Sequence, residues 1–504
     1  MRTITDIMNY RVHFTPGLEA LVDRGKRYTY QEYNHRVNQM AHYLLELKVK
    51  KGDRIAILCK NNYLFPVIVL ATMKLGAIAV PLNWRLNPNE LEYILRDSKP
   101  AVVFYDKEFS FLLSEAKKPD LQFTEIRAES GIDGLLSLET LLHNRPVDEP
   151  DVVLHEDDPA TIIYTSGTTG NPKGVVTSHK SWIFSVIATA NALEWRFRDR
   201  YLAAAPLFHV SGIIITLGAI YQGMTIVFME DFDPSKIWEL IEAERIATMF
   251  AVPTMFIYML PELMRSQKEI TSLRNFIVGG SPVPRKLIEQ YDLYGYEITQ
   301  VYGCTECTGL FSVWHPHMGM EKCISSGKTI LGGELKIINP ETGQEVPTGE
   351  VGEILIRGPQ LFMGYWNNPE ATRKALRDGW FCTGDAGKVD EDGFLYVLDR
   401  YKDMIICGGT NIYPAQVEGV IKELDDVLEV ALIGIPHAVW GEIPRAYIVK
   451  KPGSNLTEAD VLYHCHQKLA NYKVSEVVFI DSLPKNNVGK VLKRVLREQA
   501  IKQG

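Results

Sequence analysis

The sequence predicts an α/β fold: a large N-terminal domain of parallel-type α/β subdomains plus a β-rich subdomain, followed by a small C-terminal α/β domain. Short apolar runs alternate with segments of helical period in the first part of the chain, which favours a largely parallel sheet covered by helices. After about residue 320, alternating runs lie between Gly, Pro, Asp and Asn turns, which is typical of β-rich structure. A charged stretch at 399–403 then precedes a segment with strand and helix signals of its own.

The N-terminal elements follow from apolar patterning. We predict buried strands at 53–59, 101–105 and 161–164, because these runs are short, apolar and rich in β-branched or aromatic residues. Helices are expected at 30–47 and 62–75. This order of strands and helices predicts a largely parallel sheet.

The later elements are shorter and closer together. Strands are expected at 333–339, 350–357 and 393–398. In the C-terminal part the predicted elements are a helix at 414–424, strands at 428–435 and 445–450, and a helix at 457–469. We interpret 399–403 as an exposed linker, so that the two domains cover residues 1–400 and 401–504.

Composition restricts the class of protein. The chain has 504 residues, 46% hydrophobic and 23% charged, with a net charge of -8. This charge argues against a nucleic-acid-binding protein, which needs a basic face to neutralise phosphates. The start of the chain does not resemble a signal peptide, and 212–229 is expected to be a buried helix running into a buried strand rather than a membrane span. A soluble cytoplasmic enzyme fits this pattern best.

The seven cysteines favour free thiols in a reducing compartment, because their number is odd and they are widely scattered. Cys304 and Cys307 have metal-ligand spacing but no second pair to complete a site. His464 and His466 flank Cys465 on an expected helix, where adjacent side chains point apart. We therefore expect no structural metal site from these residues.

The motif with the strongest chemical meaning is YTSGTTGNPKG at 164–174, directly after a predicted buried strand. Hydroxyls and free backbone N–H groups suit phosphate oxygens, and glycines let the backbone approach a ligand closely. Lys173 adds a positive charge. The stretch differs from the P-loop pattern, so it predicts a phosphate-binding loop of another kind.

This loop resembles the phosphate-binding signature of the acyl-adenylate-forming enzymes, which include acyl-CoA synthetases, adenylation domains of peptide synthetases and firefly-type luciferases. Further segments similar to that family follow in the same order: APLFHVSG at 205–212, VGGSP at 278–282, YGCTE at 302–306, GWFCTGD at 379–385 and PKNNVGK ending at Lys490. The resemblance implies that ATP, Mg²⁺, a carboxylic acid and coenzyme A are the ligands. It also implies that the C-terminal domain is a mobile lid that rotates between the two half-reactions.

The resemblance assigns roles to individual residues. Tyr302 would stack on adenine, Thr305 would touch the α-phosphate, Glu306 would hold Mg²⁺ together with Thr165, and Asp385 would bind the ribose. The implied ATP and AMP contacts are Thr165, Ser166, Gly167, Thr168, Thr169, Gly170, Lys173, Gly280, Ser281, Tyr302, Gly303, Thr305, Asp385, Arg400 and Lys490. The implied catalytic residues are Lys490, Thr165, Glu306 and His209.

The implied acyl pocket and CoA site lie elsewhere in the chain. The acyl pocket would be lined by Phe208, His209, Val210, Val278, Gly279, Gly280 and Cys304. Gly408, Gly409 and Trp440 would contact CoA, and Lys402 stands at the hinge position. Three positions depart from the family pattern: Ser281, Thr410 and Val488.

Within the family, the chain most resembles bacterial fatty-acyl-CoA ligases, on its compact length, the GPQLFMGYWNNPEAT segment at 358–372 and the DRYKDMI linker. That resemblance implies a medium- or long-chain fatty acid, and the apolar residues of the implied pocket agree with it, since no charge is placed to hold a second carboxylate. An aryl acid of the coumarate or benzoate type is the alternative substrate, and a carrier protein is the alternative acceptor. We interpret the basic stretch 196–200 as a solvated loop, with weak peripheral membrane contact as the alternative. A homodimer is compatible with the sequence.

Overall fold

The structure is a computed structural model that describes residues 2–128, 138–165, 171–266, 270–407, 410–437, 439–485 and 491–503. Of Arg400 and Lys402 it describes the backbone. Among the predicted site residues, Ser166, Gly167, Thr168, Thr169, Gly170, Gly408, Gly409 and Lys490 lie outside the described residues.

The first third of the chain alternates helices and strands. Its helices are α1 (Ile4–Phe14), α2 (Tyr30–Glu46), α3 (Leu64–Lys74), α4 (Pro88–Ser98), α5 (Ser110–Ala116) and α6 (Leu138–Leu142). Its strands are β1 (Glu19–Asp23), β2 (Lys26–Thr29), β3 (Arg54–Leu58), β4 (Ile78–Pro81), β5 (Val102–Tyr105) and β6 (Thr124–Arg127).

The middle of the chain continues this alternation. Its strands are β7 (Pro159–Thr165), β8 (Lys173–Ser178), β9 (Arg200–Ala203), β10 (Thr225–Phe228), β11 (Thr248–Ala251), β12 (Asn275–Gly279), β13 (Glu297–Cys304), β14 (Gly309–Trp314) and β15 (Lys328–Thr329). Its helices are α7 (His179–Ala192), α8 (Val210–Gln222), α9 (Ile237–Ala243), α10 (Pro253–Ser266) and α11 (Arg285–Asp292).

The last third is richer in strands. The strands are β16 (Glu334–Ile338), β17 (Gly352–Arg357), β18 (Gly364–Tyr365), β19 (Leu376–Arg377), β20 (Trp380–Val389), β21 (Leu395–Arg400), β22 (Ile405–Cys407), β23 (Thr410–Ile412), β24 (Val427–His437), β25 (Gly441–Lys450) and β26 (Glu476–Phe479). The helices are α12 (Pro369–Ala375), α13 (Pro414–Ile421), α14 (Glu458–Lys468) and α15 (Lys493–Gln503).

Two mostly parallel sheets form the first part of the fold. One has the strand order β15-β14-β13-β12-β11-β9-β10-β1-β2, and the other has the order β18-β8-β7-β4-β3-β5-β6. In the first sheet β9, β11, β12 and β13 are parallel neighbours, so their carboxyl ends meet at one edge. Ligands of open α/β sheets bind outside such an edge, which places the predicted segments at 205–212, 278–282 and 302–306 beside one another.

The predicted α/β fold is confirmed, as are the predicted strands and helices, whose observed bounds differ from the predictions by a few residues. Apolar stretch 212–229 forms most of α8 and all of β10, with a left-handed Gly223 (φ +77°) ending the helix. Side chains of α3 and α8 are buried almost all round, in keeping with helices inside a protein core. No helix among the described residues is both long and apolar enough to cross a membrane.

The β-rich part is an antiparallel sheet in the order β16-β17-β20-β19, with β21 also paired to β20. A separate sheet, β23-β22-β25-β24 with β26 beside β25, carries α13, α14 and α15. It has its own apolar core, which includes Val417, Ile421, Leu432, Ile448 and Val461.

The expectation that stretch 399–403 is exposed is wrong for Asp399, Tyr401 and Asp403. Asp399 accepts a hydrogen bond from the backbone N–H of Ala415 (3.1 Å) and pairs with Lys493 (3.5 Å). Arg497 pairs with Asp403 at 2.9 Å. These partners come from α13 and α15, so the connection is partly buried against the C-terminal helices.

Candidate active site

The phosphate-loop motif begins and ends on two antiparallel strands. Strands β7 and β8 are antiparallel, and Thr165 faces Lys173 across them. The Thr165 hydroxyl lies 3.5 Å from the carbonyl oxygen of Lys173. The hairpin therefore brings the two polar ends of the motif together at the rim of the sheet.

A short strand packs against this hairpin. In β18, Tyr365 pairs with Val175 of β8, and the backbone N–H of Phe362 donates to the carbonyl of Glu306 (2.8 Å). Tyr365 donates its phenolic hydrogen to Oε1 of Glu306 at 2.9 Å. Its ring lies under the ammonium of Lys173, 5.0 Å from the ring centroid. Tyr365 thus connects the two charged residues assigned to phosphate and Mg²⁺.

The YGCTE motif forms the carboxyl end of β13 and a 3-10 turn over Thr305–Cys307. Position 303 requires glycine, because a Cβ there would lie 1.8 Å from the carbonyl oxygen of Gly309. The turn leaves the Glu306 carboxylate partly exposed. Strand, glycine and turn together direct the motif towards the sheet edge.

The two residues assigned to adenine and ribose touch each other. Tyr302 donates its hydroxyl hydrogen to Oδ2 of Asp385 at 2.7 Å. Burial, and then the charge of Asp385, raises the pKa of Tyr302 well above its ordinary value, so the phenol stays protonated and keeps donating. Asp385 is the register partner of Arg400 in β21, so the strand pairing brings all three positions together.

The VGGSP segment leaves the end of β12. A Cβ on Gly279 would lie 2.5 Å from Cγ2 of Val301 on the neighbouring strand, and Gly280 has a positive φ of +85°. Ser281 follows on the exposed surface. The two glycines therefore allow a tight turn at the sheet edge, beside Tyr302.

His209 is the N-cap residue of α8, and its ring lies 4.3 Å from that of Phe208. Burial lowers the pKa of His209 to about 4, with a smaller contribution from the charge of Arg85. The imidazole is therefore neutral at physiological pH. A neutral ring suits the wall of an apolar pocket better than a charged one does.

A small cavity, partly open to solvent, lies between this helix and the sheet. It is lined by Tyr201, Ala203, Ala205, Leu207, Ser211, Gly212, Ile215 and Phe250. Tyr201 and Ala203 share one face of β9, because side chains alternate along a strand. No charged side chain is among these lining residues.

The lining residues are neighbours of the predicted pocket residues but not the same ones. Phe208, His209 and Val210 are adjacent in sequence to the lining residues Leu207 and Ser211, whereas Val278 is buried in the core that includes Met249 and Phe256. Cys304 lies at the end of β13, with its sulfur 3.5 Å from that of Cys307. Sequence reasoning missed Tyr201 and Phe250, which were detectable only as residues of parallel strands next to α8.

The residues implied in CoA binding and hinge motion belong to the C-terminal sheet or its connection. Trp440 is 54% exposed in the turn between β24 and β25. Lys402 stands in the 3-10 turn Tyr401–Asp403, which joins β21 to β22. Cys407 and Thr410, which precede and follow Gly408 and Gly409 in the sequence, are paired.

Two charged residues of the basic stretch 196–200, Asp199 and Arg200, form ion pairs with residues elsewhere in the chain. Asp199 accepts from the backbone of Arg196 and pairs with Arg274. Arg200 pairs with Glu19 and Glu244.

The residues present fit Mg²⁺ bound together with nucleotide phosphates. Oε1 of Glu306 accepts from Tyr365, while Oε2 has no hydrogen-bond partner among the described residues. Over the same residues, no group of three or more His, Cys, Asp or Glu side chains is arranged to hold a metal. One carboxylate with an available oxygen matches the way Mg²⁺ binds with substrate phosphates, rather than in an all-protein cage.

Comparison with known proteins decides the family. The profile of AMP-binding enzymes matches residues 9–366, and the profile of the AMP-binding enzyme C-terminal domain matches residues 416–490. This chain belongs to the AMP-binding enzyme family.

Relatives of this AMP-binding enzyme match it over nearly its whole length. YdaB of Bacillus subtilis (strain 168) is 41% identical over 504 residues, covering 99% of this chain and 100% of that protein. The long-chain-fatty-acid–CoA ligase FadD13 of Mycobacterium tuberculosis (strain ATCC 25618 / H37Rv) is 37% identical over 508 residues, covering 99% of each chain. The solved structure of o-succinylbenzoate coenzyme A synthetase from Bacillus subtilis, in complex with ATP and magnesium ion, has a TM-score of 0.87 and 33% identity, covering 98% of each chain.

These matches show that the AMP-binding enzyme is an AMP-forming acid–thiol ligase of the acyl- or aryl-CoA class. Members of this family use ATP, with CoA as a substrate. The relatives include ligases of both fatty and aromatic acids.

Proposed function

We propose that this enzyme activates a medium- or long-chain fatty acid as acyl-AMP and then transfers the acyl group to CoA. The carrying observation is the cavity beside α8, whose lining includes no charged side chain. A lining without charged side chains favours an uncharged acyl group, because burying a second carboxylate or an amino group there would leave its charge unpaired.

In the first half-reaction, the carboxylate attacks the α-phosphate of ATP and pyrophosphate leaves. The chain's part is to hold the two reactants in line and to offset negative charge. Lys173 and Lys490 would supply positive charge, Thr305 would contact the α-phosphate, and Asp385 with Tyr302 would hold the nucleoside. Bound Mg²⁺, held by Glu306 and Thr165, would offset charge on the phosphate oxygens.

In the second half-reaction, the CoA thiol attacks the acyl carbon and AMP leaves. Gly408 and Gly409 would admit the pantetheine arm, and Trp440 would contact CoA near that entrance. Rotation about Lys402 would withdraw Lys490 and present the glycines. The neutral His209 would separate the reacting carbonyl from the apolar cavity.

The aryl acid remains a second candidate, because the rings of Tyr201 and Phe250 line the same cavity and can pack against an aromatic acid. ATP–pyrophosphate exchange measured with acetate, octanoate, palmitate, benzoate and coumarate tests the substrate independently of CoA. Fastest exchange with octanoate or palmitate is expected. Fastest exchange with benzoate or coumarate would contradict the fatty-acid proposal and favour the aryl one.

A further inference from the structure

We propose that Tyr365 is a positioning residue that holds Glu306 in its Mg²⁺-binding orientation and keeps Lys173 available for phosphate. This inference rests on the proposed roles of Glu306 and Lys173. It assigns a function to a residue of the two-residue strand β18 to which the family resemblance gave no role.

The first contact is directional. The hydroxyl of Tyr365 donates to Oε1 of Glu306 at 2.9 Å. A hydrogen bond to a carboxylate fixes both its position and its rotation, and bonds with one charged partner are about twice as strong as neutral ones. With Oε1 bound in this way, Oε2 is the oxygen presented to a cation.

The second contact is electrostatic. The ammonium of Lys173 stands 5.0 Å from the centroid of the Tyr365 ring, within the range of a cation–π interaction. Over the described part of the chain, neither Lys173 nor Glu306 belongs to an ion pair. A direct pair between them would neutralise the charges that phosphate and Mg²⁺ need. Tyr365 gives each of them a neutral partner instead.

The backbone makes this arrangement rigid. Tyr365 is paired with Val175 in the sheet, and its N–H donates to the hydroxyl of Thr372 at 2.9 Å. The Phe362 N–H also bonds to the carbonyl of Glu306 (2.8 Å). The side chain that orients Glu306 is therefore held by the same strand that is attached to the phosphate-loop hairpin.

The test measures Mg²⁺-dependent binding of α,β-methylene-ATP by calorimetry, using the full chain. Tyr365→Phe removes the hydroxyl and keeps the ring. The free Mg²⁺ concentration for half-maximal binding is expected to rise about 10-fold, as is usual when a partner of a metal ligand is lost. Tyr365→Leu should, in addition, weaken analogue binding at saturating Mg²⁺, because Lys173 loses the ring; equal affinity of the two variants there would refute that contact.

Two further variants separate this inference from the function on which it rests. Tyr396→Phe removes a similar tyrosine–carboxylate bond, to Asp390 at 3.0 Å, and should behave like the unaltered protein. Glu306→Gln should raise the Mg²⁺ requirement. If Glu306→Gln does so and Tyr365→Phe does not, the positioning role is refuted while the Mg²⁺ assignment stands. If Glu306→Gln has no effect, both fail.

Discussion

Tyr302 and Asp385 form a partly buried hydrogen bond of 2.7 Å between the end of β13 and the middle of β20. It joins the mostly parallel sheet that carries the YGCTE motif to the antiparallel sheet that carries the Asp assigned to the ribose. Asp385 is only 7% exposed, so its carboxylate depends on protein partners in place of water.

Tyr302→Phe should therefore weaken ATP binding. Removal of one donor from a buried carboxylate costs about 1–3 kcal/mol, which corresponds to a KM for ATP raised about 10-fold in pyrophosphate exchange. Tyr291→Phe is the matched control, because it removes a buried tyrosine bond to the carbonyl of Phe256 (2.8 Å) outside the site. A lowered melting temperature with unchanged KM is expected for Tyr291→Phe. The same KM change in both variants would mean that general destabilisation, and not the Asp385 contact, is responsible.

Lys490→Ala should abolish adenylation and leave thioester formation from supplied acyl-AMP largely intact, since its ammonium would stabilise charge only at the phosphate. Each half-reaction is measured separately. Lys485→Ala is the control from the same segment, because Lys485 pairs with Glu429. Equal loss of both half-reactions in Lys490→Ala would refute the assigned role.

Gly409→Leu should have the opposite effect, because a side chain would obstruct the proposed path of the pantetheine arm. Pyrophosphate exchange should persist while CoA-dependent turnover is lost. Unchanged turnover with CoA would show that the path lies elsewhere.

The cavity makes a prediction about substrate length. Ile215→Ala removes apolar volume from the lining and should shift the preference towards longer acids in a panel of chain lengths. Ile220→Ala truncates another buried residue of α8 that does not line the cavity, so it should destabilise the fold without a shift. If Ile215→Ala leaves the length preference unchanged, as the control should, the cavity does not hold the acyl chain.

His179 should contribute to acid sensitivity. Burial lowers the pKa of His179 to about 4, against a smaller opposing effect of Asp158, while an unfolded histidine titrates near 6.5. The unfolded state therefore binds more protons between these values, and the free energy of unfolding falls as pH decreases from about 6.5 to about 4, by about 3 kcal/mol from this group.

Replacement by Asn tests this effect, because its side-chain oxygen can accept the Ile4 N–H that His179 Nδ1 accepts at 3.3 Å. The melting temperature of His179→Asn should fall less steeply with acid than that of the unaltered protein. The exposed His143→Asn serves as control. Parallel curves for all three proteins would contradict the prediction.

The sequence was informative where function depends on local motifs. Buried strands, the α8–β10 unit and the order of the motifs could be read from periodicity and spacing, and parallel pairing then explains why residues 205–212, 278–282 and 302–306 meet. Contacts set by strand pairing over long separations could not be read in this way. Tyr365 reaches Glu306 because β18 pairs with β8, far away in sequence.

The same reason explains the wrong expectation at the linker. A run of charges predicts exposure when each residue is considered alone. Asp399 and Asp403 instead find Lys493 and Arg497 on the last helix of the chain. Local composition contains no information about such distant partners.

The most direct test of the account is AMP release from ATP and Mg²⁺, with and without CoA, across acetate, octanoate, palmitate, benzoate and coumarate. The account predicts AMP release that depends on CoA and is greatest with octanoate or palmitate. A maximum with an aromatic acid would contradict the proposed substrate. If AMP release is the same with and without CoA for every acid, that would contradict CoA as the acceptor and favour a carrier protein.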